Sequence, residues 1–183
     1  MISAISVIPD IEKTVTVDFK RPGELIYLVG NTYPEFTNPK VNPLQGIKIF
    51  RAMHQVIKSG LVSACHDLSE GGLAIALAEM CFAGRVGVEV FLDKIGLAGE
   101  KTMTDNECVR LFSESNTRFI CSVRKENKQR FELMMGDLAY FKIGKTVVSD
   151  TMKMFGAHNK PIVNLRLGEI EKVWKISLSL SIE

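Results

Sequence analysis

The segment His66-Asp67-Leu68-Ser69-Glu70-Gly71-Gly72-Leu73 sets two carboxylates, a hydroxyl and paired glycines between an apolar run and an alanine-rich one. A glycine turn that leads a buried strand into a helix leaves backbone N–H groups free at the helix start, which suits an anion or a phosphate. Gly71 and Gly72 allow close backbone approach, and Asp67 or Glu70 could hold a metal ion or a ribose hydroxyl. The same residues also meet a local need: Asp67 or Ser69 is a good N-cap, and the glycines permit a sharp turn. Spacing alone leaves both readings open.

A second polar stretch, Ser113-Glu114-Ser115-Asn116-Thr117-Arg118, lies between a short helical pattern and an apolar strand. Glu114 among hydroxyls could accept hydrogen bonds from a ligand; the local alternative is a loop closed by a Glu114–Arg118 salt bridge. Neither stretch has a nucleophile with a base beside it, so no catalytic residue is assigned. His54, His66 and His158 are scattered, and Cys65, Cys81, Cys108 and Cys121 show no C-x-x-C spacing. The cysteines read as reduced core residues, without a metal site or a secreted disulfide framework.

The elements around these stretches follow from periodicity. Residues 14–19 alternate with period two, and Glu24–Val29 follow as an apolar run, so both are expected as strands. Residues 30–43, rich in Pro and Asn, are expected as a loop. Leu44–Ser59 has a helical apolar period over Ile49, Phe50, Met53, Val56 and Ile57, ended by Gly60. Leu61–His66 is a strand, and Leu73–Phe82 is a helix apolar nearly all round, buried under another layer or at an interface. Expected next are a strand over Arg85–Phe91, a loop over 93–105 and a helix over Asn106–Phe112. A strand over Arg118–Val123, a helix over Glu126–Met135 and one or two strands over Tyr140–Val148, turning near Gly144, come after. Ile162–Leu167 and Gly168–Leu178 close the chain as strand and helix. The alternation indicates an α/β (α+β) fold, a mixed β-sheet covered by helices.

The 183 residues, 46% hydrophobic and 24% charged, are enough for one domain with a sizeable core. A formal charge of +2, spread along the chain, gives no footprint for nucleic acid or an anionic membrane. No apolar run approaches the roughly 20 residues of a membrane span, and the start lacks a signal-peptide pattern, so a cytoplasmic protein is expected.

Val62–Met80 with Phe82-Ala83-Gly84 closely resembles the signature of the second C-terminal domain of phosphoribosylformylglycinamidine synthases, relatives of aminoimidazole ribonucleotide synthetase. Leu111–Phe119 is similar to that domain's later motif, and Val15–Gly30 to the segment that enters it. The resemblance implies residues 1–30 as entry strands and linker, and 31–183 as the C-terminal domain. It implies a part in the ATP-dependent conversion of formylglycinamide ribonucleotide to the amidine, with ammonia from glutamine. ATP/ADP and Mg2+ would serve the complete enzyme. Partners would be its N-terminal domains, the glutaminase subunit in the full complex and a possible second copy of this chain. Asp67, Ser69, Glu70, Gly71, Gly72, Ser113, Glu114 and Ser115 would line a nucleotide-binding cleft, with no activity in the chain alone; the alternative is a noncatalytic, nucleotide-stabilised assembly module. Two departures stand out. Glu35-Phe36-Thr37-Asn38-Pro39 replaces a Gly-Gly-Ser loop, and Asn116 replaces a Gln longer by a methylene.

Overall fold

Leu25–Val29 is apolar at every position, and a strand with that pattern must be covered on both faces. It forms β1, whose Ile26 and Leu28 enter one core cluster while Tyr27 and Val29 enter another. The computed structural model describes residues 3, 5–8, 10–99 and 106–179. Around β1 are α1 (Pro43–Lys58), β2 (Val62–Asp67), α2 (Gly72–Gly84), β3 (Gly87–Phe91), α3 (Asn106–Phe112) and β4 (Phe119–Val123). They are followed by α4 (Lys128–Met135), β5 (Tyr140–Val147), β6 (Thr151–Phe155), β7 (Pro161–Arg166) and α5 (Leu167–Ser179).

The strands form one seven-stranded mixed sheet in the order β2-β4-β1-β5-β3-β6-β7. All neighbours are antiparallel except β3 and β6. α2, α3 and α5 supply one core cluster, with Leu73, Leu77, Met80, Leu111 and Leu167 against Val88, Val90, Met152 and Met154. α1 and α4 supply the other, with Ile49, Met53, Val56, Phe131 and Met135 against Tyr27, Cys121 and Val123. The fold is thus the expected helix-covered mixed sheet, and β1, within the expected lead-in, lies well inside it.

Helix ends follow their chemistry. Asn42 caps α1 by accepting from the Gln45 N–H at 3.1 Å, and Pro43 opens the helix where its missing N–H costs nothing. Gly71, with φ 75°, stands at the N-cap position before α2 and no side chain caps the helix, so neither Asp67 nor Ser69 does so.

Several expectations are corrected. Residues 14–19 form no strand, and a short 3-10 turn, Ile11–Lys13, precedes them. Val15 packs with the α1–α4 cluster, Phe19 enters the α2–α5 cluster, and between them the Cys65 N–H donates to Thr16 O at 3.2 Å. The segment therefore crosses the free edge of β2 and cannot pair along it. Phe19 then donates its N–H to Met80 O, which brings it against Gly84, where a Cβ would stand 2.1 Å from Phe19 O. β5 runs unbroken through Gly144, beside an irregularity in its pairing with β1, in place of a turn. β6 was not foreseen, and β3 starts at Gly87 because Arg85 is the left-handed cap of α2. Residues 100–105 of the expected loop lie outside the described residues.

Candidate functional site

β2 carries Asp67 to the sheet end, and the chain turns through Ser69 and Glu70 into α2. Asp67, Ser69 and Glu70 are exposed. Ser69 Oγ donates to Asp67 Oδ2 at 2.7 Å, and His66 Nδ1 lies 3.3 Å from Asp67 Oδ1. The Ser69 hydroxyl, then Asp67's own backbone and the neighbouring His66, hold the Asp67 carboxyl below its usual value despite partial desolvation. His66 Nε2 is 2.8 Å from Glu79 Oε2, which fastens the strand end to the second turn of α2. Gly72 has φ 60°, and a Cβ there would stand 2.4 Å from Ser113 O. Glycine is therefore required both by conformation and by the close approach of the 113–115 loop.

That approach joins the two polar stretches. The Gly71 N–H donates to Glu114 Oε1 at 3.0 Å, so an acidic side chain from the second loop meets the start of α2 where free donors were expected. The Glu114–Arg118 salt bridge is not found among the described residues. Arg118, 1% exposed, turns inward and donates to Ser115 O at 3.1 Å, Thr32 Oγ1 at 3.2 Å and Ser113 O. Burial lowers the pKa of its guanidinium to about 10, while the charge of Glu35 opposes the shift. The cation stays charged at neutral pH and satisfies carbonyls that would otherwise be orphaned.

Ser113 and Ser115 are 0% and 1% exposed. Ser113 Oγ donates to Tyr33 O at 2.7 Å and lies 2.8 Å from Ser115 Oγ, which accepts from the Tyr33 N–H at 2.9 Å. Their hydroxyls hold the 33–35 loop, and Glu114 N–H donates to Glu35 O at 2.7 Å. The expected site residues thus divide: Asp67, Ser69 and Glu70 form an open rim, Gly71 and Gly72 the turn, and Ser113, Glu114 and Ser115 the brace beneath it.

The two sequence departures meet. Asn116 Nδ2 donates to Pro39 O at 3.1 Å, so the shorter amide is used on the Glu35–Pro39 loop. Glu35 Oε1 accepts from the Lys40 N–H at 3.4 Å, whereas Glu35 Oε2 is buried without a partner in the structure. Sequence reasoning missed Thr32 and Glu35 as partners of this loop system, because their contacts span some 80 residues of chain. Among the described residues no group of His, Cys, Asp and Glu is arranged to hold a metal ion, and no helix is long and apolar enough to cross a membrane.

Comparison with known proteins places the fold. The profile of the family AIR synthase related protein, C-terminal domain, matches residues 21–156. PurL of Thermotoga maritima complexed with ATP is similar over 87% of this chain and 27% of that one, with 20% identity and a TM-score of 0.78. A structure of phosphoribosylformylglycinamidine synthase II from Thermotoga maritima gives the same identity and TM-score, with 87% of this chain and 28% of that one covered. The hydrogenase maturation protein HypE in complex with ATP is similar over 87% of this chain and 56% of that one, with 16% identity and a TM-score of 0.63. The chain spans less than a third of the length of those first two relatives. With sheet, turn and brace in place and most of its length matched, the chain belongs to the family of AIR synthase related protein C-terminal domains.

Proposed function

We propose that the chain is the C-terminal domain component of a phosphoribosylformylglycinamidine synthase, acting in the cytoplasm in the ATP-dependent amidation of formylglycinamide ribonucleotide, and inactive by itself. The observation that carries this reading is the family match over residues 21–156, which spans both stretches on which the resemblance rests. The family match and the likeness to the ATP-bound PurL fold support it.

In this reading the rim of Asp67, Ser69 and Glu70 faces a nucleotide, and the remaining domains of the enzyme supply the opposite wall. An exposed rim cannot exclude water or hold a triphosphate without that wall. Mg2+ would arrive with the nucleotide: Asp67 and Glu70 offer the hard oxygen acceptors it prefers, while the rest of its shell comes from phosphates, water and other domains. The chain's own contribution is positioning. Ser69 orients the Asp67 carboxylate, His66 and Glu79 fix the strand end, and the 113–115 brace sets where the turn stands.

A second reading, the noncatalytic nucleotide-stabilised module, is favoured by one feature: Glu114 already occupies a donor at the start of α2, as an anion would. The two separate by substitution in the reconstituted enzyme. Asp67→Asn lowers synthase turnover and nucleotide affinity roughly tenfold or more if the cleft is catalytic. Weakened nucleotide binding with unchanged turnover indicates the module, and no change in either removes the rim from the site.

A further inference from the structure

The strands β3, β5, β6 and β7 carry Lys142, Lys145, Lys153 and Arg166 against one carboxylate, Glu89. Their register puts these side chains on one face. Leu25, packed with the α1–α4 cluster, pairs with Lys145, and Lys145 pairs with Glu89. Glu89 pairs with Lys153, and Lys153 with Asn164, two residues before Arg166. Val88, Val90, Met152, Met154 and Val163 point the other way, into the α2–α5 cluster. Two faces of such different character follow from the period-two alternation of strands.

The charged face is bare. Among the described residues, the hydrophobic cluster under α1 and α4 takes side chains of β1, β2, β4 and the first residue of β5, and none from β3, β6 or β7. Lys142, Lys145, Asn164 and Arg166 are exposed. Phe91 and Phe155, paired across β3 and β6, stack with centroids 5.1 Å apart, and Lys94 Nζ stands 4.5 Å over the Phe91 ring. Lys145 is bound to Glu89 at 3.2 Å, which leaves the other cations of the face without a carboxylate among the described ion pairs.

We propose that this half-sheet face docks an acidic surface of a polypeptide partner. Charge complementarity selects the partner: the cations stand on a flat face with a central aromatic pair, and an opposing surface rich in Asp and Glu neutralises them. A nucleic acid fits less well. The Phe91 and Phe155 rings stack on each other and Lys94 covers one of them, so they offer little free ring surface to bases. The surface is independent of nucleotide binding at the rim.

The test uses a fluorescent glutamate decamer as probe, read by anisotropy at low salt, with a thymidylate decanucleotide of equal length beside it. The account expects the glutamate decamer to bind, and to lose at least about tenfold in affinity in the variant Lys142→Gln/Lys153→Gln/Arg166→Gln. A control variant that removes equal charge elsewhere, Lys48→Gln/Arg51→Gln/Lys172→Gln, retains binding within about twofold. Amide chemical shifts in the wild-type chain should map contact to β3, β5, β6 and β7. The proposal is overturned by an absence of binding at low salt, by equal losses in both variants, by shifts elsewhere, or by tighter binding of the oligonucleotide.

Discussion

Glu114 and Asp67 show how much of the site depends on single hydrogen bonds. Glu114→Gln keeps the shape but exchanges a charged acceptor for a neutral one at the start of α2, and should cost about 1 kcal/mol. For a chain of this size that lowers the melting temperature by roughly 2–4 °C, measurable by calorimetry; an unchanged transition would mean that the bond is not maintained in solution. Ser69→Ala should raise the Asp67 pKa, since the Ser69 hydroxyl is the largest of the influences that lower it. The sign for stability follows. A carboxyl whose folded pKa is lowered stabilises the fold above its unfolded value, near 3.8, and loses that contribution as pH falls through the folded value. The effect stays below about 1 kcal/mol for so exposed a group. Carbon-detected NMR titration of the Asp67 carboxyl in both proteins reads it directly, and identical curves would contradict the assignment. The rim residues were legible because glycines and acidic residues between two apolar runs mark a turn at a strand end. The inward commitment of Ser113 and Ser115 was not, because a hydroxyl reads alike whether it faces a ligand or Tyr33 O.

At the scale of elements, Gly84 and Arg118 each fasten segments that are distant in sequence. Gly84→Ala drives a methyl group against Phe19 O and should destabilise by about 1–3 kcal/mol. A denaturant midpoint equal to wild type would show that residues 16–20 do not lie over α2. Arg118→Ala removes the donors that hold Ser113 O, Ser115 O and Thr32 Oγ1, at a cost of about 3 kcal/mol. Arg118→Lys should recover only part of it, because one ammonium cannot reproduce the planar fork. Helices α1 and α2 and strands β1 to β4 were readable from period and length. Residues 14–19 were not, since alternation in Thr-Val-Thr-Val marks an extended chain equally well in a strand and in a segment that crosses an edge. β6 escaped notice because the alternation of Met152 and Met154 with Thr151, Lys153 and Phe155 runs for only five residues, too short for period two to stand out.

Across the whole molecule, the even charge balance conceals a separation of charge by face. Counting basic and acidic residues along the chain could not reveal it, since the cations of β5, β6 and β7 meet only through the sheet order. Apolar surface is also left open: Leu44, Ile47 and Phe50, spaced three apart along α1, are 77%, 47% and 55% exposed. The helical period places Phe50 on the core face, yet it meets Phe119 only edge-on at a ring distance of 5.9 Å. Such a stripe favours self-association of the isolated chain. Sedimentation velocity should show a dimer growing with concentration, and Leu44→Glu/Ile47→Glu should abolish it; a monomer at every concentration would refute this.

The central claim, that the rim becomes a nucleotide site only against the rest of the enzyme, is tested by calorimetric titration with ATP and Mg2+ of the chain alone, of the remaining synthase domains alone, and of the two mixed. The account predicts little or no heat of binding from the chain alone, and tight binding together with synthase turnover only in the mixture. Equal binding and turnover with and without the chain would contradict it.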